Sequence, residues 1–277
     1  MVFLPKPKRW AGRECRGKPT IVTGGDQMKK LLTVLVTAAM VLSFVGFASA
    51  EKLFVATDTN FKPFSYKNSD GDYVGMDLDL WDAVAKKAGL EYEMHPMDFG
   101  GIIPGLQTGN IDVAVAGMSV KSSREKVIDF AMPYFRAGLV IMVRPDNMDI
   151  KDIDDFAGKT VCTKLATSSV DYIKKNAKPA KLTQLPNVSD CFMELLAGGT
   201  DAVMFDLPPL ADYANNAGKG KVKILAPMHM GHHYAMAVPA GSKVRDKIST
   251  AILEISEDGT YDKIYRKWFG KDPEWKP

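Results

Sequence analysis

Residues 135–159 read FRAGLVIMVRPDNMDIKDIDDFAGK. The opening FRAGLVIMV is an apolar run of strand length, whereas the continuation is polar, rich in Asp and broken by Pro145, which has no N–H for a sheet ladder. Past Lys159 a strand and helix alternation starts afresh, so this break divides the chain into two α/β units. Upstream, KLFVAT, LEYEM and IDVAVAG read as strands; downstream, TVCT, DAVMF and VKIL do. Between them DLDLWDAVAKKAG, SSVDYIKKNA, SDCFMELLAGG and LPPLADYANNAG read as helices, several stopped by Gly. In the first helix Leu80, Trp81, Val84 and Ala88 recur at helical spacing, and Asp77 and Asp79 open it, where carboxylates complement the helix dipole. A second apolar run, YAMAVP, precedes the closing helices VRDKISTAILEISEDG and TYDKIYRKWFG. The expected fold is α/β with two lobes, each a mostly parallel sheet flanked by helices, and with FRAGLVIMV and HYAMAV as crossover strands between them. The expected boundaries are 51–135 and 235–277 for the first lobe and 136–234 for the second.

The N-terminal segment is built differently. Met28-Lys29-Lys30 leads into LLTVLVTAAMVLSFVGF, apolar and uncharged, and then into Ala48-Ser49-Ala50, the order of a secretory signal with cleavage after Ala50. The run is short for a bilayer span and has no Cys at the cleavage point to carry lipid. Residues 1–27, with the stretch LPKPKRWAGRECRGKP, form an unusual preface to a signal peptide. They are expected to be a non-native leader before a true start at Met28, because Gly24-Gly25-Asp26 is compatible with a purine-rich ribosome-binding sequence.

Removal of 1–50 takes eight of 36 basic and two of 33 acidic residues, leaving 28 against 31 in residues 51–277. The basic surplus thus belongs to the targeting segment, and no basic block points to nucleic acid. Cys162 and Cys191 are the cysteines of that exported part. An even pair in an oxidising compartment is either a disulfide or two buried thiols, and the sequence leaves both open.

In open α/β sheets ligands sit beyond the carboxyl ends of strands, and pockets favour the boundary between units. KLFVAT is followed by Asp58, Phe61 and Phe64; LEYEM by MDFGG with Phe99; IDVAVA by Gly117, Ser119 and, in the turn GMSVKSSREK, Arg124. TVCT is followed by Lys164, Thr167 and Ser168, and DAVMF by Asp206. Singly, each is read as core, cap or solvated tip. Together they suit a free α-amino acid. Arg124 and the Ser119 turn would take the carboxylate, since a guanidinium fits it with two parallel hydrogen bonds. Asp206 and the Gly117 carbonyl would take the ammonium. Asp58 and Lys164 remain as one acceptor and one donor for the side chain, with Phe61 and Phe99 about its methylenes. That pairing favours a neutral polar side chain such as that of glutamine.

The stretches VATDTNFKPFSY, YVGMDLDLWDAVAK, MDFGGIIPGLQTGNIDVAVAGMS, SREKVIDFAMPY, SSVDY, ELLAGGTDAV and GTYDKIYRKWFG resemble, in order, the periplasmic polar-amino-acid-binding proteins of ABC importers (solute-binding protein family 3), the glutamine-binding members most of all. The resemblance covers residues 51–270. It implies a type II periplasmic-binding-protein fold that closes like a trap and docks on a membrane permease. It also implies Arg124 on the ligand carboxylate, Asp206 on its ammonium, Asp58 and Lys164 on a side-chain amide, and Phe61 and Phe99 as apolar walls. Ser168 keeps a backbone N–H and adds a hydroxyl where that pattern has Gly. Phe205 stands where it has a His before the aspartate, and Ala166-Thr167-Ser168, following Leu165, stands where it has a Gly-Thr-Gly turn; losing the histidine weakens the case for glutamine and leaves asparagine or a less polar neutral amino acid open.

The protein is expected to be a periplasmic monomer that binds without catalysis, needing no cofactor and no nucleic acid. The rival reading is an exported dehydratase on the same fold, but no nucleophile, His and acid set stands out. His229, His232 and His233 in MHMGHHYAM invite a metal, yet their spacing is loose, and they are read as a solvated loop before the crossover strand.

Overall fold

The computed structural model describes residues 52–178 and 181–277. The leader and signal-peptide readings fall outside them.

The first lobe opens with β1 (Leu53–Asp58), followed by a small antiparallel sheet of β2 (Asn60–Phe61), β3 (Ser65–Lys67) and β4 (Tyr73–Val74). Helix α1 (Met76–Ala88) buries Leu80, Trp81 and Val84 as its periodicity dictates, and Gly89 in the left-handed region ends it. Next come β5 (Tyr92–Met97), α2 (Phe99–Thr108), β6 (Val113–Ala114) and the single turn α3 (Ser122–Glu125). Strand β7 (Ile128–Val143) then leaves this lobe for the second. The polar connection becomes a capped 3-10 turn at Ile153–Phe156, with Asp152 and Asp155 bonding each other's backbone N–H groups.

The second lobe contains β8 (Thr160–Lys164), α4 (Ser168–Asn176), β9 (Lys181–Leu185), α5 (Val188–Ala197), β10 (Ala202–Asp206) and α6 (Leu207–Asn215). Strand β11 (Lys223–Pro239) returns to the first lobe, which α7 (Val244–Glu257) and α8 (Thr260–Phe269) complete. The strand order is β5-β1-β6-β11-β7-β10-β8-β9. β5, β1 and β6 are parallel in one lobe, and β10, β8 and β9 in the other. The antiparallel pair β7 and β11 links the two parallel sets.

Three features differ from the sequence reading. β5 runs past LEYEM to Met97, and Phe99 is the first residue of a helix that the sequence reading did not name. The MHMGHHYAM segment is not a solvated loop but the middle of β11, where the register against β7 shifts at several bulges. β9 was not expected, because KLTQL alternates weakly and is half-exposed.

The cysteines are joined. Cys162 in β8 and Cys191 in α5 are both fully buried, with Cα atoms 5.5 Å apart, in a disulfide.

Candidate functional site

Asp58, Phe61, Phe99, Gly117, Ser119, Arg124, Lys164, Ser168 and Asp206 all line one tight cleft between the lobes, with a cavity volume of only about 10 Å³. Ala116, Thr167 and Phe205 complete the wall. A larger groove, near Leu207 and Trp268, holds none of these residues, so converging charge rather than size marks the candidate site.

The first lobe contributes its strand ends. Asp58 closes β1, and its Oδ1 accepts from the Asn60 N–H at 3.1 Å, an Asx turn that fixes the carboxylate. Phe61 on β2 stacks on Phe64 with centroids 5.1 Å apart. Gly117 follows β6 with φ +53, and its N–H donates to Asp77 Oδ2 at 2.7 Å. A Cβ there would sit 2.0 Å from the Phe61 ring, so the residue must be glycine for the ring to close on the backbone.

Arg124 is not a solvated turn residue. Only 3% of it is exposed; Nη1 donates to the Ser119 carbonyl at 2.9 Å and Nη2 to the Ala166 carbonyl, across the cleft, at 3.1 Å. Its Cζ also lies 5.3 Å from the centre of the Phe99 ring. A guanidinium carries five donors, so three remain after these two bonds. Burial pulls its pKa down to about 10, and it stays cationic at neutral pH.

The second lobe faces it. Ser168 begins α4 on the same cleft, and its buried Oγ has no partner among the described residues. A chain of hydroxyls holds the turn before it: Thr167 donates to the Lys164 carbonyl at 2.6 Å, and Ser169 lies 2.7 Å from Thr167 and 2.5 Å from Thr163. Lys164 ends β8 with 1% exposure and meets Asp58 Oδ2 at 2.5 Å and the Asn60 carbonyl at 3.1 Å. The acceptor and donor assigned to a ligand side chain are thus joined to each other across the cleft.

Asp206, the last residue of β10, has one oxygen committed: Oδ2 accepts from the Tyr234 hydroxyl at 2.8 Å. Oδ1 is buried with no formed hydrogen bond among the described residues, although His232 Nε2 lies 3.1 Å away. Burial pushes the Tyr234 hydroxyl far up, so it remains a donor to Asp206.

Sequence reasoning missed His232 and Tyr234, which reach Asp206 from β11, and it read Phe205 only as a lost histidine. Phe205 in fact meets Phe61 edge to face at 5.9 Å, extending the aromatic wall. The three histidines do not converge. His229 faces Asp152 at 3.4 Å, His232 faces Asp206, and His233 lies against Trp275.

Comparison with known proteins agrees with this architecture. The family of bacterial extracellular solute-binding proteins, family 3, matches residues 53–271. The arginine-binding extracellular protein ArtP of Bacillus subtilis is 30% identical over 254 residues, 87% of this chain and 98% of that protein. An ancestral arginine-binding protein, solved with glutamine and also with arginine, is 43% identical with a TM-score of 0.76 and covers 79% of this chain and 98% of its own. An ancestral amino-acid-binding protein described as a precursor of cyclohexadienyl dehydratase is 34% identical with a TM-score of 0.74, covering 84% and 99%. The two-lobe α/β architecture is therefore that of the periplasmic binding proteins, and the chain belongs to the bacterial extracellular solute-binding proteins, family 3.

Proposed function

We propose that the protein captures a neutral polar L-amino acid, glutamine foremost, in the periplasm and presents it to the permease of an ABC importer. It would do so as a monomer, after signal cleavage at Ala50, with residues 51–135 and 235–277 as one jaw and 136–234 as the other. Closure of the jaws forms the surface that the permease recognises, and the ligand can drive closure only as far as it prefers the closed form.

One observation carries this reading. Two acids and two bases, Asp58, Asp206, Lys164 and Arg124, surround one cleft, and each is at most 6% exposed. Their charges cancel, which suits a zwitterion whose side chain adds none. Arg124, the partnerless Ser168 hydroxyl and the first turn of α4 form a carboxylate seat. Asp206 Oδ1 and Gly117 form the ammonium seat. At the far end a carboxamide offers an acceptor to Lys164 and a donor to Asp58, entering their ion pair without breaking its charge balance. Phe61 and Phe99 cover the methylenes.

A cationic side chain has to share Asp58 with Lys164, and leaving a buried charge without its partner costs about 3–5 kcal/mol. Arginine is nonetheless the second reading, because the 43% identical ancestral protein was solved with both amino acids. An enzyme on this fold, as in the dehydratase lineage of one similar structure, would need an unpaired titratable group at the reacting atom. Asp58 and Lys164 instead pair with each other. Calorimetric titration against the twenty amino acids tests the reading: glutamine is expected to bind more tightly than arginine and to be recovered unchanged. Tighter arginine binding would reverse the assignment.

A further inference from the structure

His232 lies between two acceptors. Its Nδ1 is 3.1 Å from the Met230 carbonyl and its Nε2 is 3.1 Å from Asp206 Oδ1, with 5% of the side chain exposed. A carbonyl only accepts, so Nδ1 carries a proton in every state that satisfies Met230. The state of Nε2 then decides the character of the ammonium seat. Protonated, the ring is an imidazolium and pairs with Asp206. Unprotonated, it turns a lone pair towards a carboxylate oxygen, and the pair is relieved only by a cation arriving at that oxygen.

We propose that His232 is a positioning residue that gates Asp206: seating an α-ammonium group on Asp206 expels the Nε2 proton of His232 to solvent, so the protein holds its amino acid more weakly as its surroundings acidify. This rests on the assignment of Asp206 to the ligand ammonium. Two cations cannot both be held at full strength by one carboxylate whose other oxygen already accepts from Tyr234. Binding and proton loss are then the two sides of one linkage.

The surroundings support this exchange. Burial alone would lower the His232 pKa, but the contacts with Asp206 and the Met230 carbonyl outweigh it and hold the ring above the ordinary imidazole value. Arg124 on α3 opposes the second charge, and Asp206 at the end of β10 favours it. On its own strand the neighbour is Tyr234, whose ring centroid is 5.6 Å away. Tyr234 in turn feels Tyr134 on β7 and Asp77 on α1. On β7 the register partner of His232 is the uncharged Ala137. An ammonium on Asp206 neutralises the charge that raises the ring, so the His232 pKa falls in the complex. Affinity therefore rises with pH between the complex value and the free value, and is level on either side.

The test is calorimetric titration with glutamine, or with arginine should that bind more tightly. It is run from pH 5 to 8 in two buffers of different ionisation enthalpy, on the wild type, His232→Gln and Asp206→Asn. The wild type is expected to weaken by up to about tenfold per pH unit through the His232 range, with net proton release on binding. His232→Gln, matched in thermal midpoint as a check on folding, is expected to bind with a level pH profile. Wild-type binding with no pH dependence and no proton release overturns the gating role, as does a slope that persists in His232→Gln, which would assign it to Asp77. Asp206→Asn separates the two proposals. Loss of binding in that variant with a level wild-type profile removes only the role of His232, whereas unchanged affinity removes the ammonium seat and the gate with it.

Discussion

Asp77 is fully buried in the first turn of α1, where it accepts from the Gly117 N–H and the Tyr134 hydroxyl, each at 2.7 Å. Burial outweighs both bonds and raises its pKa to about 7. The folded protein therefore binds this proton more tightly than the unfolded chain, in which the carboxyl titrates near 4. Stability linked to the group is present in full below the unfolded value, declines as pH rises towards 7, and is level above it. Three pH units at 1.36 kcal/mol each put the span on the order of 4 kcal/mol. Urea denaturation between pH 4 and 8 is expected to show this decline in the wild type and to show it flattened in Asp77→Asn. The amide mimics the protonated acid, accepting from Gly117 while donating to Tyr134. An equal decline in both proteins would move the titration elsewhere. Asp77 was visible in the sequence only as a helix-opening carboxylate; its partners Gly117 and Tyr134 come from 40 and 57 residues away in the chain.

The secondary elements were legible where one periodicity dominates. The strands that end in Asp58, Lys164 and Asp206 are short and largely apolar up to that charged residue, so the rule that ligands gather at strand ends found residues that do share a cleft. β11 shows where that logic stops. YAMAV is buried on both faces, so it carries no alternation to extend back to the adjacent histidines, and His232 was read as solvated. Phe205 was legible as a departure but not as a wall, because its partner Phe61 lies in another lobe. The disulfide needed a distance that spacing cannot supply. It ties β8 to α5 across a separation of 29 residues, and the loop-entropy relation assigns it about 3.5 kcal/mol. Replacing both cysteines with alanine is expected to lower the thermal midpoint by roughly 10 °C. Glutamine affinity should change little, because neither cysteine lines the cleft. An unchanged midpoint would mean that packing, not the bridge, holds these two elements together.

At the scale of the whole molecule, each jaw contributes one acid and one base to the cleft. The first lobe brings Asp58 and Arg124, the second Lys164 and Asp206, and contacts already span the gap at Lys164 to Asp58 and at Arg124 to the Ala166 carbonyl. On the proposed assignment each polar end of an amino acid meets a group of opposite charge on a different jaw, so neither jaw alone would complete the site. A ligand bound by both ends shifts the population towards closure by the contacts it makes only there. On the same assignment the side-chain end would set which amino acid is preferred, and the α-carboxylate and α-ammonium seats whether any binds. The direct test is to compare, by calorimetric titration of residues 51–277, glutamine with its two singly blocked forms, N-acetylglutamine and glutamine α-amide. The account predicts that, above the pH range in which His232 is protonated and can itself pair with Asp206, glutamine binds and each blocked form loses at least about 3 kcal/mol, since each leaves Asp206 or Arg124 buried without its counter-charge. Binding of either blocked form with the affinity of glutamine would contradict it.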